Sequence, residues 1–187
     1  MTLDEIRVQI DAIDTQIKPL FIQRMACGKG VAEAKAMTGG DVFVLKRELS
    51  IIKNRASDVD PAIYDEYIAF LKHLMSLCRR YEYGFLTDMQ EMVLTDSLHT
   101  AGLDRTTPHT QVAITFTCDI ASSDLNMHMN MIKLNKVTIQ SMSLETKGEK
   151  QVITMTLLGN VNEANMKQLL CQIGKEASDF AITALLS

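Results

Sequence analysis

A long apolar seam that contains one charged residue constrains the fold of this chain more than any other feature. From the N-terminus, apolar residues recur at alternating intervals of three and four, the heptad spacing of a long helix that packs against other helices. The seam consists of Leu3, Ile6, Ile10, Ile13, Ile17, Leu20, Arg24, Cys27, Val31 and Ala34. Arg24 stands where a buried apolar side chain is expected. Its guanidinium must therefore meet a carboxylate, bind an anionic ligand, or reach water along its own stem.

The composition limits the class of protein. The chain has 187 residues, of which 47% are hydrophobic and 22% charged, and this balance is typical of a soluble globular protein. A net charge of -4 provides no basic surface, so we expect no nucleic-acid partner. No apolar run is long enough to span a membrane, and the N-terminus lacks the pattern of a signal peptide. Because the four cysteines also lack disulfide or metal-ligand spacing, we expect a cytoplasmic protein without a metal site.

The N-terminal half is predicted to be a helical domain over residues 1–92. Its first helix should run from about Thr2 to Met37, with a bend near Pro19. A break into two separate helices is the alternative. A second helix is expected over residues 46–56. The third should begin with Asp60 as its N-cap and Pro61 at its first position.

The periodicity changes in the C-terminal half. We predict a linker over residues 93–110, because polar residues, Gly102 and Pro108 interrupt the helical pattern there. Residues 111–187 then alternate between strand and helix patterns in the order βαββαβ, with Ser122 or Ser123 capping the first helix. This order predicts an α+β domain of the ferredoxin-like plan, a small antiparallel sheet with two helices on one face.

The cations of the helical half share one side of the first helix. Arg24 and Lys35 are eleven residues apart, about three turns at roughly 3.6 residues per turn, and Arg47 joins them from the second helix. Arg7 lies about 25 Å before Arg24 at roughly 1.5 Å per residue, so only an antiparallel partner helix would bring another copy to the same site. Such convergence favours a small multi-carboxylate ligand. Solvated surface cations, or a buried ion pair of Arg24 with Glu82, are the alternatives.

Residues 3–85 resemble a known family in charged positions and seam register together. The matching residues are Leu3-Asp4-Glu5-Ile6-Arg7, Ile10-Asp11, Ile13-Asp14, Leu20, Arg24-Met25, Val31-Ala32, Lys35, Val42, Arg47-Glu48, Ile51-Ile52 and Leu74-Met75. This pattern is similar to that of the all-helical, type II chorismate mutase domain. The resemblance implies an all-α protomer of three helices in an intertwined homodimer. It also implies conversion of chorismate to prephenate, in phenylalanine and tyrosine biosynthesis, without a cofactor.

The resemblance also implies roles for individual residues. Arg24 and the partner subunit's Arg7 would bind the carboxylates of chorismate, and Lys35 would contact a carboxylate and the ether oxygen. Glu48 would accept a hydrogen bond from the ring hydroxyl, and Arg47 would support that acidic end of the site.

Three positions depart from the family pattern. Val44 stands where many members have Asp, Cys78 where many have Ser, and Glu82 where bacterial members usually have Gln. An ionised Glu82 would repel the negative charge that develops on the ether oxygen, whereas a protonated one can donate a hydrogen bond to it. An apolar surrounding should raise the pKa of Glu82, while Arg24 and Lys35 should lower it. Activity is therefore predicted to fall as the pH rises through this pKa.

The C-terminal segment resembles the ACT regulatory fold in its order of elements and its size. That resemblance implies a regulatory module with an aromatic amino acid as a candidate effector. The glycine-rich and Glu-Ser-Arg-Pro motifs of the phenylalanine-binding version are missing, and no dehydratase activity is expected. The alternative function is a catalytically weakened regulatory or anion-binding protein of the aromatic pathway, since three site positions depart and Gly28 and Gly30 weaken the first helix.

Overall fold

The computed structural model describes residues 1–120 and 125–187, which form a helical N-terminal part and an α+β C-terminal part. The helical part contains α1 (Leu3–Thr38), α2 (Leu45–Arg55), a 3-10 turn (Pro61–Ile63), α3 (Tyr64–Tyr83) and α4 (Thr87–Ala101). The C-terminal part contains β1 (Gln111–Asp119), α5 (Leu125–Leu134), β2 (Thr138–Lys147), β3 (Lys150–Leu158), α6 (Ala164–Glu176) and β4 (Ser178–Leu186). The predicted cap at Ser122 or Ser123 lies outside the described residues.

Helix α1 is a single helix that includes Pro19, so the break left open by the sequence does not occur. It begins with a capping box in which the Thr2 hydroxyl accepts from the Glu5 amide and the Glu5 carboxylate accepts from the Thr2 amide. Gly28 is buried where α1 passes α3, and a Cβ there would lie 3.3 Å from Cδ1 of Tyr81. This glycine therefore permits the close approach of the two helices.

The apolar seam of α1 is largely exposed in the single chain. Within α1 only Gly28 and Ala32 are buried. Leu3 and Leu20 are each 62% exposed, and Ile10 and Ile13 between them are also exposed. An apolar stripe of this length in water marks an interaction surface.

Helix α4 occupies the first part of the segment that was predicted to be a linker. Residues 93–101 belong to α4, so the prediction of a linker over 93–110 was wrong for that stretch. Leu94 and Leu98 lie one turn apart on α4, and both are buried in the core of the C-terminal part. Thr95 and Asp96, two of the polar residues that suggested a linker, lie on the exposed side. The helix ends at Gly102, which has a left-handed φ of 65°. The domain boundaries themselves stay a prediction.

The predicted order βαββαβ of the C-terminal part is confirmed. Its four strands form one antiparallel sheet in the order β2-β3-β1-β4, in which Ile114 of β1 pairs with Met155 of β3. Buried side chains from the central strands and from α5 and α6 form one core, which includes Phe116, Met131, Ile153 and Leu169. This part is therefore an α+β domain, as predicted.

A second, smaller core joins the two parts of the chain. It contains Ala32 of α1, Val42, Tyr83, Leu86 and Cys171 of α6, all buried. The helical part and the α+β part therefore pack against each other through α6. Among the described residues, no helix has the length and the apolar character needed to cross a membrane.

Candidate functional site

A cavity of about 510 Å³ lies between α1, α2 and α3. Seven of the eight predicted site residues line it: Arg24, Lys35, Val44, Arg47, Glu48, Cys78 and Glu82. The eighth, Arg7, does not belong to this cavity. It lies on the exposed N-terminal half of α1, where its guanidinium pairs with Asp4 at 3.1 Å. One chain thus brings together all the predicted site residues except the one assigned to a partner subunit.

Arg24 does not form the ion pair with Glu82 that the sequence left open. Its Nη1 donates to Sγ of Cys78 and, at 3.4 Å, to the carbonyl oxygen of Leu74, while the side chain stays exposed at the cavity. Burial raises the pKa of the Cys78 thiol, although the charge of Arg24 opposes this shift. The neutral thiol donates to Sδ of Met25 at 3.4 Å. The guanidinium of Arg24 is therefore accessible from the cavity and is positioned by the neutral thiol of Cys78.

Lys35 is the cation closest to Glu82. Its Nζ donates to the carbonyl oxygen of Val42 at 2.8 Å and lies 3.7 Å from Oε2 of Glu82. Glu82 is only 8% exposed, and burial raises its pKa although Lys35, Arg79 and Arg24 lower it. Of the two opposing effects expected from the sequence, burial is the larger. The carboxyl group can therefore hold its proton above the usual pH range of a glutamate.

Arg79 adds a buried cation that the sequence analysis did not identify. Its Nε and Nη2 donate to the two carboxylate oxygens of Glu176 at 2.9 Å each, and its Nη1 donates to Glu48. The guanidinium also lies 4.9 Å from the centre of the Phe43 ring. Burial alone would lower the pKa of Arg79, but the hydrogen bonds and charges of Glu176 and Glu48 outweigh it and raise the pKa. Arg79 therefore stays charged and fixes the carboxylate of Glu48.

The electrostatics of the cavity suit a small ligand with more than one negative group. Arg24, Arg47 and Lys35 supply cations from two helices, and guanidinium groups bind carboxylates with two parallel hydrogen bonds. Glu48 supplies a hydrogen-bond acceptor that is paired with Arg79, and Glu82 supplies an acid with a raised pKa.

Residues 6–83 match the family model described as chorismate mutase type II. This segment is therefore similar to that family. The match covers most of α1 and all of α2 and α3, so it includes the seven residues that line the cavity. No curated protein and no solved structure matched the chain. The resemblance stated from the sequence is thus confirmed for residues 6–83 of the helical part.

Arg79 lies inside the family-matched segment, but its main partner does not. Glu176 stands at the end of α6, 97 residues further along the chain. A signal for Arg79 was present, because it lies four residues after Met75 and three before Glu82, on the face of α3 that meets the cavity. Nothing in the sequence pointed to Glu176. The cavity is therefore lined by an arginine that the α+β domain holds in place.

Proposed function

We propose that this protein is a chorismate mutase, an isomerase that rearranges chorismate to prephenate in phenylalanine and tyrosine biosynthesis, without a cofactor. The observation that carries the proposal is the cavity in the family-matched segment, where Arg24, Lys35 and Arg47 surround two acids of different character. Such a site can bind a dicarboxylate and stabilise a charge that develops between its two ends.

Fixed cations explain how the cavity would accelerate a rearrangement within one molecule. Arg24 and the partner's Arg7 would hold the two carboxylates, so that the substrate stays in the folded conformer that reacts. Lys35 would face the ether oxygen and stabilise the negative charge that grows there as the bond breaks. Glu82, 3.7 Å from Lys35, would donate a hydrogen bond to the same oxygen when it is protonated.

The opposite end of the cavity would recognise the ring hydroxyl. Glu48 would accept its hydrogen bond, with its carboxylate oriented by Arg79. Arg47 would balance the negative charge of this end. Val44 and Cys78 would contact the substrate without the polar groups that many family members have at these positions.

A homodimer would complete the site. The exposed seam of α1 supports this assembly, because an antiparallel partner helix would cover its apolar residues and bring the partner's Arg7 toward Arg24. The same association would give each dimer two equivalent sites. Among the described residues of its own chain, Arg7 pairs only with the exposed Asp4, so little would be lost when it turns to a substrate.

The test follows the loss of chorismate with purified full-length protein over a range of pH. Wild type is compared with Arg24→Ala and with the control Arg55→Ala, an exposed arginine of α2 that does not line the cavity. We expect Arg24→Ala to lower turnover about 100-fold, the loss typical of removing one group that stabilises transition-state charge. The control should leave turnover unchanged. Turnover that survives Arg24→Ala would reject the site assignment.

The second candidate is a catalytically weakened regulatory or anion-binding protein of the aromatic pathway. Two observations favour it: the apolar Val44 is exposed at the cavity, and Glu48 is already paired with Arg79. Binding of chorismate without turnover at any pH would support this candidate over the enzyme. An ACT-like regulatory role for the α+β domain, its aromatic amino-acid effector and the cytoplasmic location stay predictions.

A further inference from the structure

A second cavity, of about 290 Å³, lies where the helical part meets the α+β domain. Residues from α3, α4 and α6 and from the C-terminal end of α5 line it, and none of them lines the first cavity. None of its described lining residues is acidic, whereas Arg80 and Lys136 are cations. Its volume is far above the ~30 Å³ that one water molecule occupies, and it lies at the lower end of ligand-site volumes.

Arg80 is a partly buried cation without a carboxylate partner among the described residues. Its Nη2 donates a hydrogen bond to the carbonyl oxygen of Leu134 at 2.8 Å, and its Nε is buried without a partner among the described residues. Burial lowers the pKa of Arg80, and no nearby acid offsets the shift. The neighbouring Arg79, by contrast, has two carboxylates. A partly buried guanidinium whose Nε has no partner is stabilised by a nearby anion, so this cavity favours an anionic ligand.

Two helix N-termini also meet this cavity. Helix α4 begins at Thr87 and α6 begins at Ala164, and neither N-terminus has a side-chain cap. Thr87, Ala164 and Asn165 line the cavity, so the first turns of both helices border it. The first turn of a helix has backbone N–H groups without intrahelical partners and carries a partial positive charge. Both features attract oxyanions, and here they add to the charge of Arg80.

Lys136 supplies the second cation and has a strained, left-handed backbone conformation. It follows α5 with a left-handed φ of 57°, and the amide of Val137 donates to the carbonyl oxygen of Ile132 in the manner of a helix-ending motif. Glycine is the usual residue at such a position, because a side chain is strained there. A lysine therefore brings a charge to the cavity at the expense of backbone stability.

We propose that this interdomain cavity binds a small oxyanion, a phosphate or carboxylate group, between Arg80, Lys136 and the N-termini of α4 and α6. The shared chemistry is a compact group of negatively charged oxygens that accepts hydrogen bonds from guanidinium, ammonium and backbone N–H groups. The site is separate from the chorismate cavity, and its existence does not depend on mutase activity.

Isothermal titration calorimetry on the full chain tests the proposal. Inorganic phosphate and malonate are titrated separately into wild type, Arg80→Gln and Lys136→Gln, at a constant chloride concentration. Lys133→Gln is the matched control, because Lys133 is exposed in the last turn of α5 and does not line the cavity. We expect at least one probe to bind at millimolar concentrations or below. Each cavity variant should weaken binding by about tenfold or more, the effect of losing one hydrogen bond to a charged group, and the control by less than about twofold.

The two probes distinguish the sources of the oxyanion. Binding of phosphate alone, weakened by Arg80→Gln and Lys136→Gln, would assign a phosphate group. Binding of malonate, weakened by the same variants, would assign a carboxylate; either result supports the proposal. Absence of binding by both probes would overturn it, and so would an affinity that Lys136→Gln leaves unchanged. Lys136 is exposed, so this variant carries the test if Arg80→Gln fails to fold.

Discussion

Removal of the Glu176 carboxylate tests the link between the α+β domain and the proposed chorismate site. Arg79 and Glu176 are joined by two hydrogen bonds of 2.9 Å, and their side chains are 4% and 5% exposed. Breaking such a buried pair from one side destabilises a protein by roughly 3–5 kcal/mol, because the remaining charge loses its partner. Arg79 would keep Glu48, so we expect Glu176→Ala to lower the free energy of unfolding by about 3 kcal/mol, the lower end of that range.

Urea unfolding of the full chain, followed by circular dichroism, measures this loss. The control is Glu33→Ala, because Glu33 pairs with Lys29 at 3.8 Å and both side chains are more than 60% exposed. An exposed pair of this kind contributes less than about 0.5 kcal/mol. Glu176→Gln keeps the shape and one acceptor, and its loss of stability should lie between those of the two alanine variants.

Chorismate turnover provides a second measurement on the same variants. Without the charge of Glu176, Arg79 is balanced by Glu48 alone and holds that carboxylate more tightly, away from a substrate hydroxyl. We therefore expect Glu176→Gln to raise the KM for chorismate while the protein stays folded. If Glu176→Ala unfolds within about 0.5 kcal/mol of wild type, as Glu33→Ala should, the inference that α6 fixes Arg79 is wrong.

Three further predictions concern the helical part. The pKa of Glu82 is raised in the folded protein, so the folded state keeps a proton that the unfolded chain has already lost. The free energy of unfolding and the turnover should therefore both fall as the pH rises through the raised pKa. Glu82→Gln should flatten both pH profiles. Arg7→Ala and Arg24→Ala should each lower turnover about 100-fold. Refolding them together in equal amounts should restore about a quarter of wild-type turnover, because half of the dimers are mixed and each of these has one intact site; no recovery would contradict a shared site. Gly30→Ala should raise the free energy of unfolding by about 1 kcal/mol, and Gly28→Ala by less, because only the Cβ at Gly28 meets the Tyr81 ring; equal gains in a denaturation experiment would contradict that packing.

Sequence periodicity predicted the elements whose faces differ in polarity. The seam predicted α1 as one long element in spite of Pro19, because its apolar residues keep their register on both sides of the proline. The succession of strand and helix patterns along residues 111–187 likewise predicted all four strands and the two helices of the α+β domain. The cations Arg24 and Lys35 meet at one cavity for the same reason, since helical spacing alone puts them on one side of α1.

The features that were not predicted depend on contacts between distant parts of the chain. In α4 the buried Leu94 and Leu98 are separated by polar residues, and the face they form is recognisable only from the core of the α+β domain that it packs against. The pairing of Arg79 has the same explanation, because helical spacing puts Arg79 beside the cavity but does not show that Glu176 lies next to it. The sequence analysis expected the guanidinium of Arg24 to contact a carboxylate, an anionic ligand or water. It did not consider the neutral thiol of Cys78, to which Arg24 donates.

The complete burial of Tyr83 has a consequence for where this protein can be cut. Tyr83 is the last residue of the family-matched segment, yet its side chain packs with Leu86, beyond that segment, and with Cys171 on α6. Sequence similarity therefore ends in the middle of a packed core. A fragment that stops at residue 83 would leave an aromatic ring in water and Arg79 without Glu176. The family-matched segment is therefore not expected to fold by itself, and its transfer to another protein should include α4 and α6.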